Sequence, residues 1–248
     1  MGISMSDISV FLEDVSFGYD KEHKALAHVD LKIKEGESVG IVGANGAGKS
    51  TLLKLLVGLY PDFQGSIKIE GMAVEKKLLP KIREKIGYVF QDSDSQLFMA
   101  TVYDDVAFAP RNYGLSENEV EERVDKALHA VKISHLKHRS TYKLSGGEKK
   151  LSSIATILSM TPDIILLDEP SIALDPCNRR NLIHILNGFE QVKVIASHDL
   201  DLILDTCDRT ILMKEGRIIK DGRTKELLKD RELLEKNNLE LPLRYFYG

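Results

Sequence analysis

Apolar and polar residues alternate with a period of two over residues 9–17, 29–33 and 66–70, each segment punctuated by Gly or Asp. This predicts strands of an antiparallel layer. Residues 38–42, 164–167 and 192–196 are instead short apolar runs, which suit parallel strands covered on both faces. Between them the period lengthens to that of a helix. Residues 49–59 carry Leu52, Leu53, Leu55, Leu56 and Leu59, and residues 117–131 place Val120, Val124, Leu128 and Val131 on one stripe. Ser116 and Glu119 have capping-box spacing, in which the hydroxyl takes one unpaired backbone N–H and the carboxylate reaches back to another. Residues 210–213 and 218–220 flank Lys214-Glu215-Gly216-Arg217 and predict a hairpin, after which Thr224 is placed to cap a last charged helix. No block recurs and no linker is long enough to separate independent domains. The pattern predicts an α/β fold: a βαβ core of parallel strands, a helical insertion and an antiparallel β side layer.

Composition narrows the class. A chain of 248 residues, 43% hydrophobic and 29% charged, buries a sizeable core without a disulfide or metal staple. Its two cysteines, Cys177 and Cys207, form no CxxC pair, which argues against a zinc site and for a reducing compartment. No apolar run approaches the roughly 20 residues of a membrane-spanning helix; the run 164–167 is bounded by Asp163 and Asp168. Residues 1–11 lack the basic stretch and apolar core of a secretory signal. A net charge of -4 argues against nucleic acid as a partner.

Gly43-Ala44-Asn45-Gly46-Ala47-Gly48-Lys49-Ser50 fits G-x-x-x-x-G-K-[ST], directly between a predicted buried strand and a Leu-rich helix. Glycines let consecutive backbone N–H groups curl around a phosphate, and the helix N-terminus adds about half a positive charge. Lys49 then meets the β- and γ-phosphates, and the Ser50 hydroxyl is placed to ligate Mg²⁺. The dinucleotide pattern G-x-G-x-x-G fails, because Thr51 occupies its last position.

Asp168 and Glu169 end the apolar run 164–167, at the C-terminal strand edge where open α/β sheets hold ligands. Asp168 is expected to orient Mg²⁺ and Glu169 to polarise the water that attacks a γ-phosphate, although Asp-Glu-Pro170 is also a good strand-ending turn. Leu144-Ser145-Gly146-Gly147-Glu148 repeats capping-box spacing and opens a helix through Ile154, Ile157 and Leu158. Its two glycines exceed what a cap needs and leave a bare backbone that a phosphate can approach.

A phosphate loop, an LSGG helix start, Leu166-Leu167-Asp168-Glu169-Pro170 and then Ser197-His198-Asp199, in this order, resemble the ATP-binding cassette (ABC) ATPases over nearly the whole chain. The resemblance implies a P-loop NTPase fold with a RecA-like parallel core. Residues 7–95 and 156–223 would form that core and its antiparallel layer, 96–155 a helical subdomain and 224–248 a helical tail. It also implies roles. Tyr19 stacks on adenine, residues Asn45 to Thr51 hold ATP, Gln91 senses Mg²⁺ and the γ-phosphate, Asp175 lies at a dimer interface, and His198 contacts the γ-phosphate. Two chains would pack head to tail, with Ser145, Gly146, Gly147 and Glu148 of one closing on the ATP of the other.

Residues 90–98, with Thr101-Val102 and Asp104-Asp105-Val106-Ala107-Phe108, resemble the ATPases of energy-coupling factor (ECF) importers, including the cobalt and nickel type; residues 232–234 and 241–243 are similar too. That implies a homodimer, or a heterodimer with a paralogous ATPase, on the cytoplasmic face of the membrane. Its partners would be an integral membrane scaffold and a small membrane substrate-binding protein. Leu97 and Phe98 would be either core residues or an apolar socket for the scaffold. A soluble ABC-type ATPase without a transport role, such as one in iron-sulfur cluster assembly, shares the core motifs and is the alternative. Three positions depart from the family pattern: Glu148 replaces a common Gln, Leu151 a common Arg, and Ile172 a small residue. An uncompensated Glu148 carboxylate would repel a polyphosphate, so a weakened composite site is expected, with higher turnover in Glu148→Gln.

Overall fold

A computed structural model describes residues 7–20, 23–172 and 174–246. Residues 1–6 of the N-terminal stretch read as lacking a secretory signal, Ala173 of the 171–175 segment, and the last two residues of the predicted tail lie outside them. The chain opens with β1 (Ile8–Gly18), β2 (Lys24–Lys34) and β3 (Ser38–Val42), and the glycine loop leads into α1 (Lys49–Leu56). Then come β4 (Gln64–Ile69), the short β5 (Met72–Ala73), α2 (Leu79–Lys85) and β6 (Ile86–Val89). Three helices follow: α3 (Val102–Asn112), α4 (Glu117–Ala130) and α5 (Gly146–Leu158). Next are β7 (Ile164–Asp168), α6 (Pro176–Asn187), β8 (Val192–Ala196) and α7 (Leu200–Thr206). The hairpin β9 (Arg209–Lys214) and β10 (Arg217–Arg223) and the short helices α8 (Thr224–Leu227) and α9 (Arg231–Lys236) complete the order.

Two sheets result. One is antiparallel in the order β2-β1-β4-β5; the other runs β10-β9-β3-β8-β7-β6, parallel throughout except for β10 against β9. The parallel strands divide their side chains between two cores by the period of two. Ile164 and Leu166 of β7 point into the core shared with the antiparallel sheet and α1, whereas Ile165 and Leu167 point into the core shared with α3, α4 and α5. Leu52, Leu53, Leu55 and Leu56 of α1 are all fully buried between the layers. Each such side chain stabilises the fold by about 1.5–3 kcal/mol relative to exposure, which anchors the glycine loop at the N-terminus of α1.

Four local features bear on what the sequence led us to expect. The helix predicted to reach Leu59 ends at Leu56, because Gly58 takes a left-handed conformation (φ 65°). The N–H groups of Gly58 and Leu59 then bond back to the carbonyls of Leu55 and Lys54, which closes the helix and leaves Leu59 exposed. Thr224 caps nothing with its side chain: its buried hydroxyl meets that of Thr210 at 2.8 Å, and Asp230 instead caps the charged helix α9 through Leu233 N. The helix predicted over 117–131 carries the expected capping box between Ser116 and Glu119. A division at residue 155 falls within α5, which runs on to Leu158.

Candidate functional site

The glycine loop joins the C-terminal end of β3 to α1. Gly43 (φ 156°), Gly46 (φ 80°) and Gly48 (φ 100°) all lie at positive φ. At Gly48 the requirement is steric as well, since a Cβ would stand 2.7 Å from the Ala25 carbonyl oxygen. The adjacent hydrogen bond from Ala27 N to Gly216 O, 2.9 Å, joins the two sheets beside the loop. Lys49 is buried, and its ammonium donates to the carbonyls of Gly43 at 2.8 Å and Ala44 at 3.4 Å, 3.7 Å from Glu169 Oε1.

The end of β7 supplies the carboxylates. Asp168 is buried, with Oδ1 accepting from Ser50 Oγ and Oδ2 from the Tyr88 hydroxyl, each at 2.8 Å. Burial first, and the neighbouring Asp168 second, push the Tyr88 phenol far above its ordinary pKa, so it stays a donor. Glu169 is held at φ 46°, a strained conformation for a side-chain-bearing residue, and its N–H is pinned to the Ala196 carbonyl at 2.8 Å. Its Oε2 accepts from Ser197 Oγ (3.1 Å) and His198 N (3.2 Å) and lies 2.8 Å from His198 Nδ1. The imidazole and the carboxylate are thus oriented by each other.

Tyr19, Asn45, Gly46, Ala47, Gly48, Lys49, Ser50, Thr51, Gln91, Glu169 and His198 line one cavity of about 440 Å³. Tyr19 stands at its rim, 58% exposed, with its hydroxyl 2.9 Å from Thr51 Oγ1. Its ring is braced edge-on by Phe17 and Tyr60 at centroid distances of 5.1 and 5.3 Å. A neighbouring cleft of about 500 Å³ shares Ser50 and Gln91 and adds Asp168, Tyr88, Lys150 and Gly146.

Ser145, Gly147, Glu148 and Asp175 are not brought to the glycine-loop cavity. Ser145 caps α5, accepting from Glu148 N at 3.3 Å, while Glu148 Oε2 accepts from Ser145 N at 2.7 Å, the capping box expected from the spacing. The Ser145 N–H, more than the Arg139 guanidinium 3.5 Å away, holds the Glu148 carboxyl below its usual range. The carboxylate on which a weakened site was expected is therefore compensated within its own chain. Asp175 caps α6 through the N–H groups of Cys177 and Asn178, both 2.9 Å, and the Asn178 N–H bond chiefly lowers its pKa. Ile172 lines both cavities. Of the two residues expected either in the core or in an apolar socket, Leu97 packs on the core, whereas Phe98 stands 65% exposed against Phe108.

Sequence reasoning missed Tyr88, Tyr60, Lys150 and the bidentate pair between Arg179 and Asp199 (2.6 and 2.8 Å). Burial alone would raise the Asp199 pKa, but the guanidinium fork and the N–H of Leu202 hold it below its ordinary value. Apart from Asp199, which the Ser197-His198-Asp199 triplet contains, none belongs to a motif quoted above, since each matters through a partner distant in sequence. Ser197 was visible only as part of the Ser197-His198-Asp199 triplet.

Residues 26–172 match the family model for ABC transporters. A putative ABC transporter ATP-binding protein of Geobacter sulfurreducens is 48% identical over 96% of this chain and 96% of its own. The energy-coupling factor transporter ATP-binding protein EcfA of Carboxydothermus hydrogenoformans is 42% identical over 96% of this chain and 88% of its own. Among solved structures, CbiO1 of Clostridium perfringens, described as part of the ABC transporter complex CbiONQ, superposes with a TM-score of 0.83 at 39% identity, covering 94% of this chain and 95% of that one. Both the cavity and the likeness along almost the full length lead to one assignment: the chain belongs to the ABC transporter family and has the ABC ATPase fold, as an ATP-binding, ATP-hydrolysing subunit.

Proposed function

We propose that this chain energises an ECF-type importer of a micronutrient, a vitamin or a transition-metal ion such as cobalt or nickel, by closing and opening as an ATP-sandwich dimer. The observation that carries the reading is the division of its motifs. The glycine loop, Gln91, Glu169 and His198 share one cavity, while Ser145, Gly147, Glu148 and Asp175 stand outside it, as half-sites meant for a second chain do. Cassettes of this family occur as dimers. The ECF assignment rests on the names of relatives and on residues 90–108 and 232–243.

Within the site, Tyr19 stacks on adenine, and the loop N–H groups from Asn45 to Thr51 cradle the phosphates. Lys49 leaves the carbonyls of Gly43 and Ala44 to meet the β- and γ-phosphates. Glu169 accepts a proton from the attacking water, and His198, aligned by Glu169, faces the γ-phosphate. Ser50, Asp168 and Gln91 would hold Mg²⁺. The fit is chemical: a hydroxyl and a carboxylate oxygen stand 2.8 Å apart, and Mg²⁺ takes hard oxygens, completing its shell with water and phosphate rather than with an all-protein cage. An ion held there would supply positive charge against that developing between the β- and γ-phosphates.

Among the described residues no helix is long and apolar enough to cross a membrane, so the proposed place, peripheral on the cytoplasmic face, requires a membrane scaffold and a small substrate-binding membrane protein as partners. Affinity purification of the tagged chain from detergent-solubilised membranes, followed by mass spectrometry, tests this. Co-purification of a polytopic scaffold with a small membrane protein, with or without a second ATPase, is the expected result. Soluble partners alone would favour an ABC-type ATPase without a transport role.

A further inference from the structure

Lys150 lies on α5, two residues beyond the Ser145–Glu148 capping box, and is only 3% exposed. Its ammonium donates to the carbonyl oxygens of Phe90 at 3.0 Å and Gln91 at 2.8 Å, the two residues that follow β6. The same segment is stitched to α5 elsewhere. Gln96 accepts from Phe90 N at 3.0 Å and donates to Ser153 O at 2.8 Å and Thr156 Oγ1 at 2.9 Å, and Lys149 pairs with Asp94.

Burying an ammonium is costly, and an apolar chain of the same length would fill the space without that cost. Burial pulls the Lys150 pKa down to about 8, against the opposing pull of Asp168 and Asp92. The amine donates to both carbonyls whether charged or neutral. What the nitrogen contributes is therefore a tie between two segments that carry different halves of the machinery: Gln91 lines the glycine-loop cavity, and α5 presents Ser145 to Glu148.

We propose that Lys150 is a positioning residue for ATP hydrolysis: it fixes the backbone of Phe90 and Gln91 to α5 and so sets the aim of Gln91 at the cavity in register with the helix that closes on a second chain. This rests on the reading of Gln91 as a residue that reaches the nucleotide.

The test uses the full-length chain in the assembly with which it is purified. In Lys150→Met, kcat is expected to fall about tenfold with the KM for ATP within about twofold, the signature of an interaction lost in the transition state only. Backbone amides of residues 90–96 should exchange hydrogen at least about tenfold faster while the core strands keep their protection. Lys150→Gln, which retains one donor, should fall between. Lys150→Met combined with Gln91→Ala should be no slower than Gln91→Ala alone, because both remove one device. Losses that multiply, an unchanged kcat, or a raised KM with loosened core strands would each overturn the proposal. If Gln91→Ala by itself left kcat unchanged, the reading of Gln91 would fall; exchange over residues 90–96 in Lys150→Met would still decide the tie, faster exchange sustaining it and unchanged exchange removing it.

Discussion

The Tyr88 hydroxyl donates to Oδ2 of Asp168 at 2.8 Å while Ser50 donates to Oδ1, so the buried carboxylate is satisfied on one oxygen by the neighbouring strand and on the other by the glycine loop. If Ser50 turns to a metal ion and ATP phosphates as proposed, Tyr88 would keep the carboxylate in place. Tyr88→Phe deletes one oxygen and leaves Oδ2 buried without its donor, which costs about 1–3 kcal/mol. Denaturant unfolding of the nucleotide-free variant should show that loss, and its ATPase activity should require more Mg²⁺ for half-saturation. Unchanged stability together with an unchanged Mg²⁺ requirement would remove Tyr88 from the site.

Glu169 reaches its working position through a strained backbone and three contacts to Ser197 and His198. Glu169→Gln preserves volume and can still accept these bonds, but it is a poor proton acceptor. Removing a general base typically costs 10²–10⁴-fold. Turnover is expected to drop by about that factor, with ATP bound at near wild-type affinity and the ATP-bound dimer longer lived. Rapid-quench measurement of a single turnover, beside an equilibrium nucleotide titration, separates the two effects.

What the sequence made legible follows from the range of each interaction. The glycine loop, the two capping boxes and the Asp168-Glu169-Pro170 turn are local, each set by residues within about one helical turn, and they stand where spacing placed them. The unbroken apolar run 164–167 likewise anticipated both covered faces of β7. Tyr88 on Asp168, Lys150 on the Gln91 carbonyl and Arg179 on Asp199 join residues 80, 59 and 20 positions apart. Nothing within a window of sequence encodes such partners. The Thr224 cap was misjudged for the same reason, since its hydroxyl is taken by Thr210 across the hairpin, whereas Gly58 is a local stop that the leucine periodicity running past it outweighed.

The two cysteines should differ sharply in reactivity. Cys177 is exposed on α6, whereas Cys207 is buried beside Lys193, and burial pushes its thiol up to about 12. At pH 8 a thiol reagent is expected to modify one cysteine in the native protein and both after denaturation. The raised pKa also sets a direction for stability. Above about pH 9 the unfolded chain loses the Cys207 proton while the folded chain keeps it, so this contribution to stability is present below pH 9 and is lost as pH rises toward about 12. Cys207→Ala, compared with wild type at pH 8 and pH 10.5, should narrow the stability gap between the two pH values.

Glu148 tests how a carboxylate can stand in a segment proposed to face a polyphosphate. Its Oε2 is held by the Ser145 N–H at 2.7 Å and its Oε1 lies 3.5 Å from Arg139, so its charge is met within the chain before any phosphate arrives. Glu148→Gln retains an acceptor for the capping box and removes only the charge, so turnover in the assembled complex is expected to change by less than about threefold. Arg139→Gln removes the one cationic part of the compensation instead and leaves the larger part, the Ser145 N–H, in place. If the arginine is what makes the carboxylate tolerable, Arg139→Gln should slow turnover several-fold and raise the KM for ATP, and adding Glu148→Gln should restore both. A large gain in Glu148→Gln alone would mean that the phosphate does feel the carboxylate, and that the site using this segment is the weaker of two in the dimer.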